Sequence, residues 1–111
     1  MRYVGTSKAS DQGYIRVLDG VERKTLTYGE HTLFTEFRLE KGHVLPRHQH
    51  PQEQTGYLVS GHILLTIGDE KYDMEPGDSW AILGGTEHGA EILEDSVAIE
   101  VFSPVRADYL P

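Results

Sequence analysis

A chain of 111 residues that sets 18 acidic residues against ten basic ones has a formal net charge of −8 and no cysteine. That length suits one domain, residues 1–111, with a core of its own, and the acidic balance excludes a basic surface for nucleic acid or anionic membrane. Disulfides and thiolate metal sites are excluded too, and no apolar run is long enough for a signal peptide or a bilayer span, so a cytoplasmic protein is expected.

Residues 1–13 are polar and without periodicity, which predicts a loose arm or a short edge strand. Tyr14-Ile15-Arg16-Val17-Leu18 has strand composition and stops at Asp19-Gly20, a turn signal. Residues 21–28 alternate weakly and carry threonines, which suit strands. From Leu33 to Glu40 the alternation is clear, with Leu33, Phe37 and Leu39 on one face and Glu36, Arg38 and Glu40 on the other, a half-buried strand.

Past the histidine-rich segment that follows, Tyr57-Leu58-Val59 is a continuous apolar run, and Ser60-Gly61 reads as a turn into Ile63-Leu64-Leu65-Thr66-Ile67. Gly68-Asp69 is a two-residue hairpin signal leading to a return strand over residues 70–74. Pro76-Gly77-Asp78 is another turn before Ser79-Trp80-Ala81-Ile82-Leu83, where Trp80, like Tyr57, reads first as a buried structural aromatic. Gly84-Gly85 breaks the chain, His88 opens a strand to Ile92, and Glu94-Asp95 turns it into Val97-Ala98-Ile99-Glu100-Val101-Phe102. Residues 105–111 read as a tail. About eight to ten short strands at this spacing, with no helical period, predict an all-β sandwich or barrel, and a jelly roll of antiparallel strands resolves its edges.

Of six histidines, His31, His43 and His62 are read as surface or core residues. His48 and His50 differ because strand alternation points them the same way, with Cα atoms roughly 6.5 Å apart. Two imidazoles so placed can converge on one ion with metal–nitrogen bonds of about 2.0–2.1 Å for zinc. Pro51 bends the chain, and Gln54 is near enough to return a side-chain oxygen to the same point. His88 follows two turns that can bring its strand back beside the pair.

Gly42, five residues, His48-x-His50, three residues, Gln54 and six residues to Gly61 resembles the first motif of the cupins. Gly77, five residues, Leu83-x-Gly85, two residues and His88 resembles the second. Over residues 21–110 the resemblance implies a small jelly-roll barrel around one divalent metal ion, with His48, His50, Gln54 and His88 as ligands. Three positions depart from the family pattern: Gln54 stands for the usual glutamate, with Glu53 adjacent as a competitor, Leu83 for a proline, and Ile92 for an asparagine. Three neutral imidazoles and an amide would leave the dication charge uncompensated, so the ion would polarise a bound oxygen strongly. Without sulfur, the donor set suits zinc, nickel, iron(II) or manganese and does not choose among them.

The last strand offers two faces. Either Val97, Ile99 and Val101 meet the core, or Ala98, Glu100 and Phe102 do, in which case a second subunit would cover the first set and a homodimer follows. The run from Glu100 through Phe102 and Arg106 to Leu110 is similar to cupins of the KdgF type, which open 4,5-unsaturated monouronates to linear 5-keto-4-deoxyuronates. The resemblance implies a small anionic sugar acid as substrate, with Glu100, in place of an aspartate, as acid/base. Phe102 would be an apolar wall and Arg106 a bidentate partner of the substrate carboxylate. Two alternatives remain: an iron or manganese dioxygenase of a small molecule, and a non-catalytic small-ligand module.

Overall fold

A computed structural model describes residues 5–110; the first four residues of the expected arm and the final Pro111 lie outside the described residues. Eight antiparallel strands make up the structure: β1 (Ile15–Leu18), β2 (Val21–Tyr28), β3 (Leu33–Leu39), β4 (Val44–His48), β5 (Glu53–Ile67), β6 (Glu70–Met74), β7 (Ser79–Ile82) and β8 (His88–Ser103). A 3-10 turn over Ala107–Tyr109 follows them. No helix among the described residues is long and apolar enough to cross a membrane. Residues 5–13 form no strand; they pass over β2, where the Lys24 ammonium donates to the Ser10 carbonyl at 2.7 Å.

The two long strands organise the rest. β5 and β8 pair from Glu53 opposite Ser103 to Ile67 opposite His88. The first half of β5 takes β7 on its other edge and the second half takes β6. β8 likewise takes β4 on its first half and β3 on its second, and β3 continues to β2 and β1. Each long strand therefore serves two sheet halves, and buried side chains from both halves share one core: Leu58 and Phe102 from one, Ile63 and Ile92 from the other. The fold is all-β and antiparallel, as the spacing of turn signals predicts. β3 buries Leu33, Thr35, Phe37 and Leu39, the expected face.

Two expected turns are not turns. Ser60-Gly61 and Glu94-Asp95 lie inside β5 and β8, where the pairing shifts register and both strands bend together. Gly61 takes φ 94°, which ordinary residues adopt at a cost. A Cβ there would overlap the Ser96 hydroxyl and the Asp95 carbonyl. The buried Ser96 hydroxyl accepts from the His62 amide at 3.0 Å and donates to the Glu94 carbonyl at 2.7 Å, so the bend leaves this side chain satisfied. A glycine and a buried serine replace a loop with a corner.

The end of the chain folds back on the barrel. Val105, Tyr109 and Leu110 pack against the core, and the Thr25 hydroxyl donates to the Tyr109 carbonyl at 2.6 Å.

The corner is a point of expected fragility. Gly61→Ala should lower stability by roughly 2–4 kcal/mol through backbone strain and overlap together. Gly68→Ala, at φ 60° with open space around it, should cost about 1 kcal/mol from the backbone alone. Urea unfolding midpoints of the two variants, at unchanged slope, check the difference.

Candidate metal centre

β-Pairing places His48 of β4 opposite His88 of β8, so residues 40 positions apart become direct neighbours. His50 arrives through the Pro51 bend, and the Gly85 amide donates to its carbonyl at 2.8 Å. Gly84 passes so close to the Pro51 carbonyl that a Cβ would overlap it, which is why a glycine stands in this loop. The three rings lie 4.3 Å (His48 to His88), 5.0 Å (His50 to His88) and 5.9 Å (His48 to His50) apart between centroids. One ring nitrogen from each falls within 4.8 Å of the others. His50 and His88 are buried and His48 is exposed.

Backbone carbonyls decide which nitrogen faces inward. Nδ1 of His48, His50 and His88 bonds the carbonyls of Pro46 (2.8 Å), Gln52 (3.0 Å) and Thr86 (2.8 Å). A carbonyl only accepts, so each Nδ1 carries the proton and each Nε2 presents a lone pair. Nε2 of His50 and of His88 is buried with no hydrogen-bond partner, and so is Oε1 of Gln54. Buried acceptors left without donors are costly, about 1–3 kcal/mol each. A cluster made only of lone pairs is what a cation satisfies, and the three histidines can hold one metal ion.

Gln54 sits on the inner face of β5, and alternation turns Glu53 out to solvent, so Glu53 does not share its position. Gln54 Nε2 donates to Glu100 Oε1 at 2.6 Å, which fixes the amide with Oε1 on the other side. Ala98 and Phe102 are buried on β8, whereas Val97, Ile99 and Val101 are only half-buried; of the two faces, the one with Glu100 and Phe102 looks inward. Trp80, read from sequence as structural, donates its indole N–H to the same Glu100 oxygen at 2.8 Å. Gly56 makes that reach possible, since it pairs with both residues and a Cβ on it would occupy the place of the indole. Tyr57, the other aromatic expected to be buried, points outward and is exposed.

Phe102 stands between the histidines and Arg106, 5.7 Å from the His50 ring and 5.2 Å from the guanidinium carbon. Arg106 donates to the Tyr109 hydroxyl at 2.9 Å and to Asp108 at 3.1 Å, and its Nε is buried without a partner. These groups line one cavity of about 380 Å³ whose remaining wall is mostly aliphatic. Sequence reasoning missed Trp80 as a Glu100 partner and missed Arg23 and Tyr109, which line the same cavity. A second histidine–acid group, His62 with Asp73 and Glu75, lies at the surface with His62 already bonded to Asp73.

Burial sets the protonation states. It drives His88 down to about 4, and it lowers His50 with help from the Arg106 charge. Both are neutral at pH 7 and ready to ligate. Burial also pushes the Glu100 carboxyl above the usual glutamate range, while the Trp80 and Gln54 donors and Arg106 pull the other way.

The cupin domain model matches residues 35–103. The chain is 33% identical over 94 residues to a pectin degradation protein KdgF from Dickeya dadantii, covering 83% of this chain and 86% of that protein. The structure of KdgF from Halomonas sp. superposes with a TM-score of 0.91 at 31% identity, covering 97% of this chain and 100% of that one. An RmlC-like cupin from Shewanella frigidimarina also superposes at 0.91, with 22% identity over 99% of this chain and 100% of that one, a likeness of fold.

The buried histidines tie stability to pH. Between about pH 4 and 6.5 the unfolded chain binds a proton at position 88 that the folded chain refuses, so stability rises with pH and is lost on acidification. Metal-free protein should be less stable at pH 5 than at pH 7 by roughly 2 kcal/mol from His88 alone, with His50 adding in the same sense. Urea midpoints at the two pH values measure it, and His88→Gln should flatten most of the difference.

Proposed function

The chain belongs to the cupin family, in its KdgF-like branch, and from that premise we propose that it opens the ring of a 4,5-unsaturated monouronate to the linear 5-keto-4-deoxyuronate. The observation that carries this reading is the meeting, in one cavity, of buried unsatisfied lone pairs on His50, His88 and Gln54 with the Glu100 carboxyl. The pectin degradation role of the Dickeya relative supports a uronate as the substrate class.

His48, His50, His88 and Oε1 of Gln54 hold one divalent ion in this reading. Zinc, nickel, iron(II) and manganese all suit such donors. The ion supplies Lewis-acid polarisation of a substrate oxygen when bound. Trp80 and Gln54 both donate to Oε1 of Glu100, leaving Oε2 for the substrate. Glu100 takes the proton of the anomeric hydroxyl, the bond from C1 to the ring oxygen breaks, and an aldehyde forms at C1 with an enol at C5. Glu100 returns the proton it took to the departing ring oxygen, which gives the enol, and the enol's proton then passes to C4, which leaves the ketone and restores the carboxylate. Atoms balance with no water or co-reactant consumed, so the conversion is an isomerisation.

Phe102 provides an apolar wall beside the ring, and Arg106, with its unpartnered Nε–H, pairs with the substrate carboxylate. A second copy of the chain covers the outer side of β5 and β8, where exposed Tyr57 stands beside Ile99 and Val59 is exposed nearby.

Purified protein incubated with enzymatically made unsaturated galacturonate should bleach its ultraviolet absorbance faster than buffer; equal rates would remove the reading. Glu100→Gln should slow turnover by about 100-fold or more with metal content unchanged. Light scattering should give the mass of a dimer, and Val59→Glu should shift it toward the monomer.

A further inference from the structure

The guanidinium of Arg106 lies over the Tyr109 ring, with its central carbon 3.9 Å from the centroid, closer than to the Phe102 ring. The guanidinium of Arg23, from β2, lies over the same ring at 3.8 Å. The two cations thus share one phenol ring, although they stand 83 positions apart in the sequence, Arg23 on β2 and Arg106 beyond the end of β8.

 Tyr109 is itself held in place: the Thr25 hydroxyl bonds its carbonyl, its own amide donates to the Arg106 carbonyl at 3.0 Å, and its ring packs edge-on against Phe102 and Phe37.

The charges at this spot do not cancel. Arg106 pairs with the exposed Asp108 and also acts on the buried Glu100 carboxyl, and Arg23 forms no ion pair with a carboxylate among the described residues. Both guanidiniums line the cavity that contains the histidines. In a chain of net charge −8, two cations left facing one cavity mark a place for an anion. The Phe102 ring contacts both the Arg106 guanidinium, at 5.2 Å, and the His50 ring, at 5.7 Å, so the cations and the histidines are close neighbours in the cavity.

We propose that Arg23 is a second substrate-binding residue, which grips the carboxylate of a single-ring sugar acid together with Arg106 across the Tyr109 ring. Each guanidinium donates to one carboxylate oxygen, and Tyr109 holds the two donors at a set separation. The inference rests on the uronate reading above for its ligand class, and it adds the residue that separates an acid sugar from a neutral one.

Calorimetric titration of the protein, carrying the metal with which it is purified, uses two unreactive probes, galacturonate and its neutral counterpart galactose. Arg23→Gln and Arg23→Met both remove the charge, and the methionine keeps an apolar contact on Tyr109 should the glutamine variant fail to fold. Each should weaken galacturonate binding by about tenfold or more and leave galactose unchanged. Galacturonate binding equal to that of the unaltered protein in either folded variant overturns the proposal, as does an equal loss for galactose or an unaltered protein that does not bind galacturonate. If unsaturated galacturonate is not turned over while Arg23 still governs galacturonate affinity, the proposed reaction falls and the carboxylate grip stands.

Discussion

Most groups of the site depend on the lengthwise pairing of β5 with β8. Gln54, Gly56, Ala98, Glu100 and Phe102 lie on these two strands, Trp80 on a strand paired to β5, and His48 on a strand paired to β8. Because side chains alternate, the register of that one ladder decides which set looks inward. A slip by one residue would put Glu53 and Thr55 inside and turn Gln54 and Gly56 out. The bend at Gly61 and Ser96 then carries both strands around a corner without breaking the ladder, so histidines from one half of the barrel and the carboxyl from the other face a common space.

That space sets charge against an apolar wall. Buried polar atoms are tolerated when they are paired, and most here are. The exceptions sort by kind: three are bare lone pairs, on His50, His88 and Gln54, and one is a donor, Nε of Arg106. The lone pairs cluster where a cation fits, and the unpaired donor lies on the far side of Phe102, where an acceptor fits. An acidic chain thus encloses a cavity lined by two guanidiniums as well as by the Glu100 carboxyl and three imidazoles.

Local patterns in the sequence carry much of this and miss specific parts of it. Alternation identifies β3 and its buried face because, after Phe34, the other side carries Glu36, Arg38 and Glu40. The same test points the wrong way for the last strand, where Val97, Ile99 and Val101 make the more apolar face and only the size of Phe102 argues for the face of Glu100. Ser60-Gly61 and Glu94-Asp95 look like turns because a corner inside a strand and a hairpin both use a glycine at positive φ or a short polar pair; only the partner strand tells them apart. His48 and His50 are legible from spacing, and His88 from the turns before it. Arg23, Trp80 and Tyr109 are not, since their roles arise from pairings and packing between distant segments. Gly56 illustrates the difficulty, because its part is to be absent from the volume that Trp80 crosses.

The inward nitrogen of each histidine is chosen by a carbonyl two positions away in its own chain segment, at Pro46, Gln52 and Thr86. No other side chain takes part in that choice. Substitutions along the inner face of β8 can therefore alter what the protein recognises or transforms while the anchoring imidazoles keep their orientation. A scaffold organised in this way separates two inheritances, one for the aim of the imidazoles and one for the shape and charge of the cavity beside them, and lets the second diversify alone.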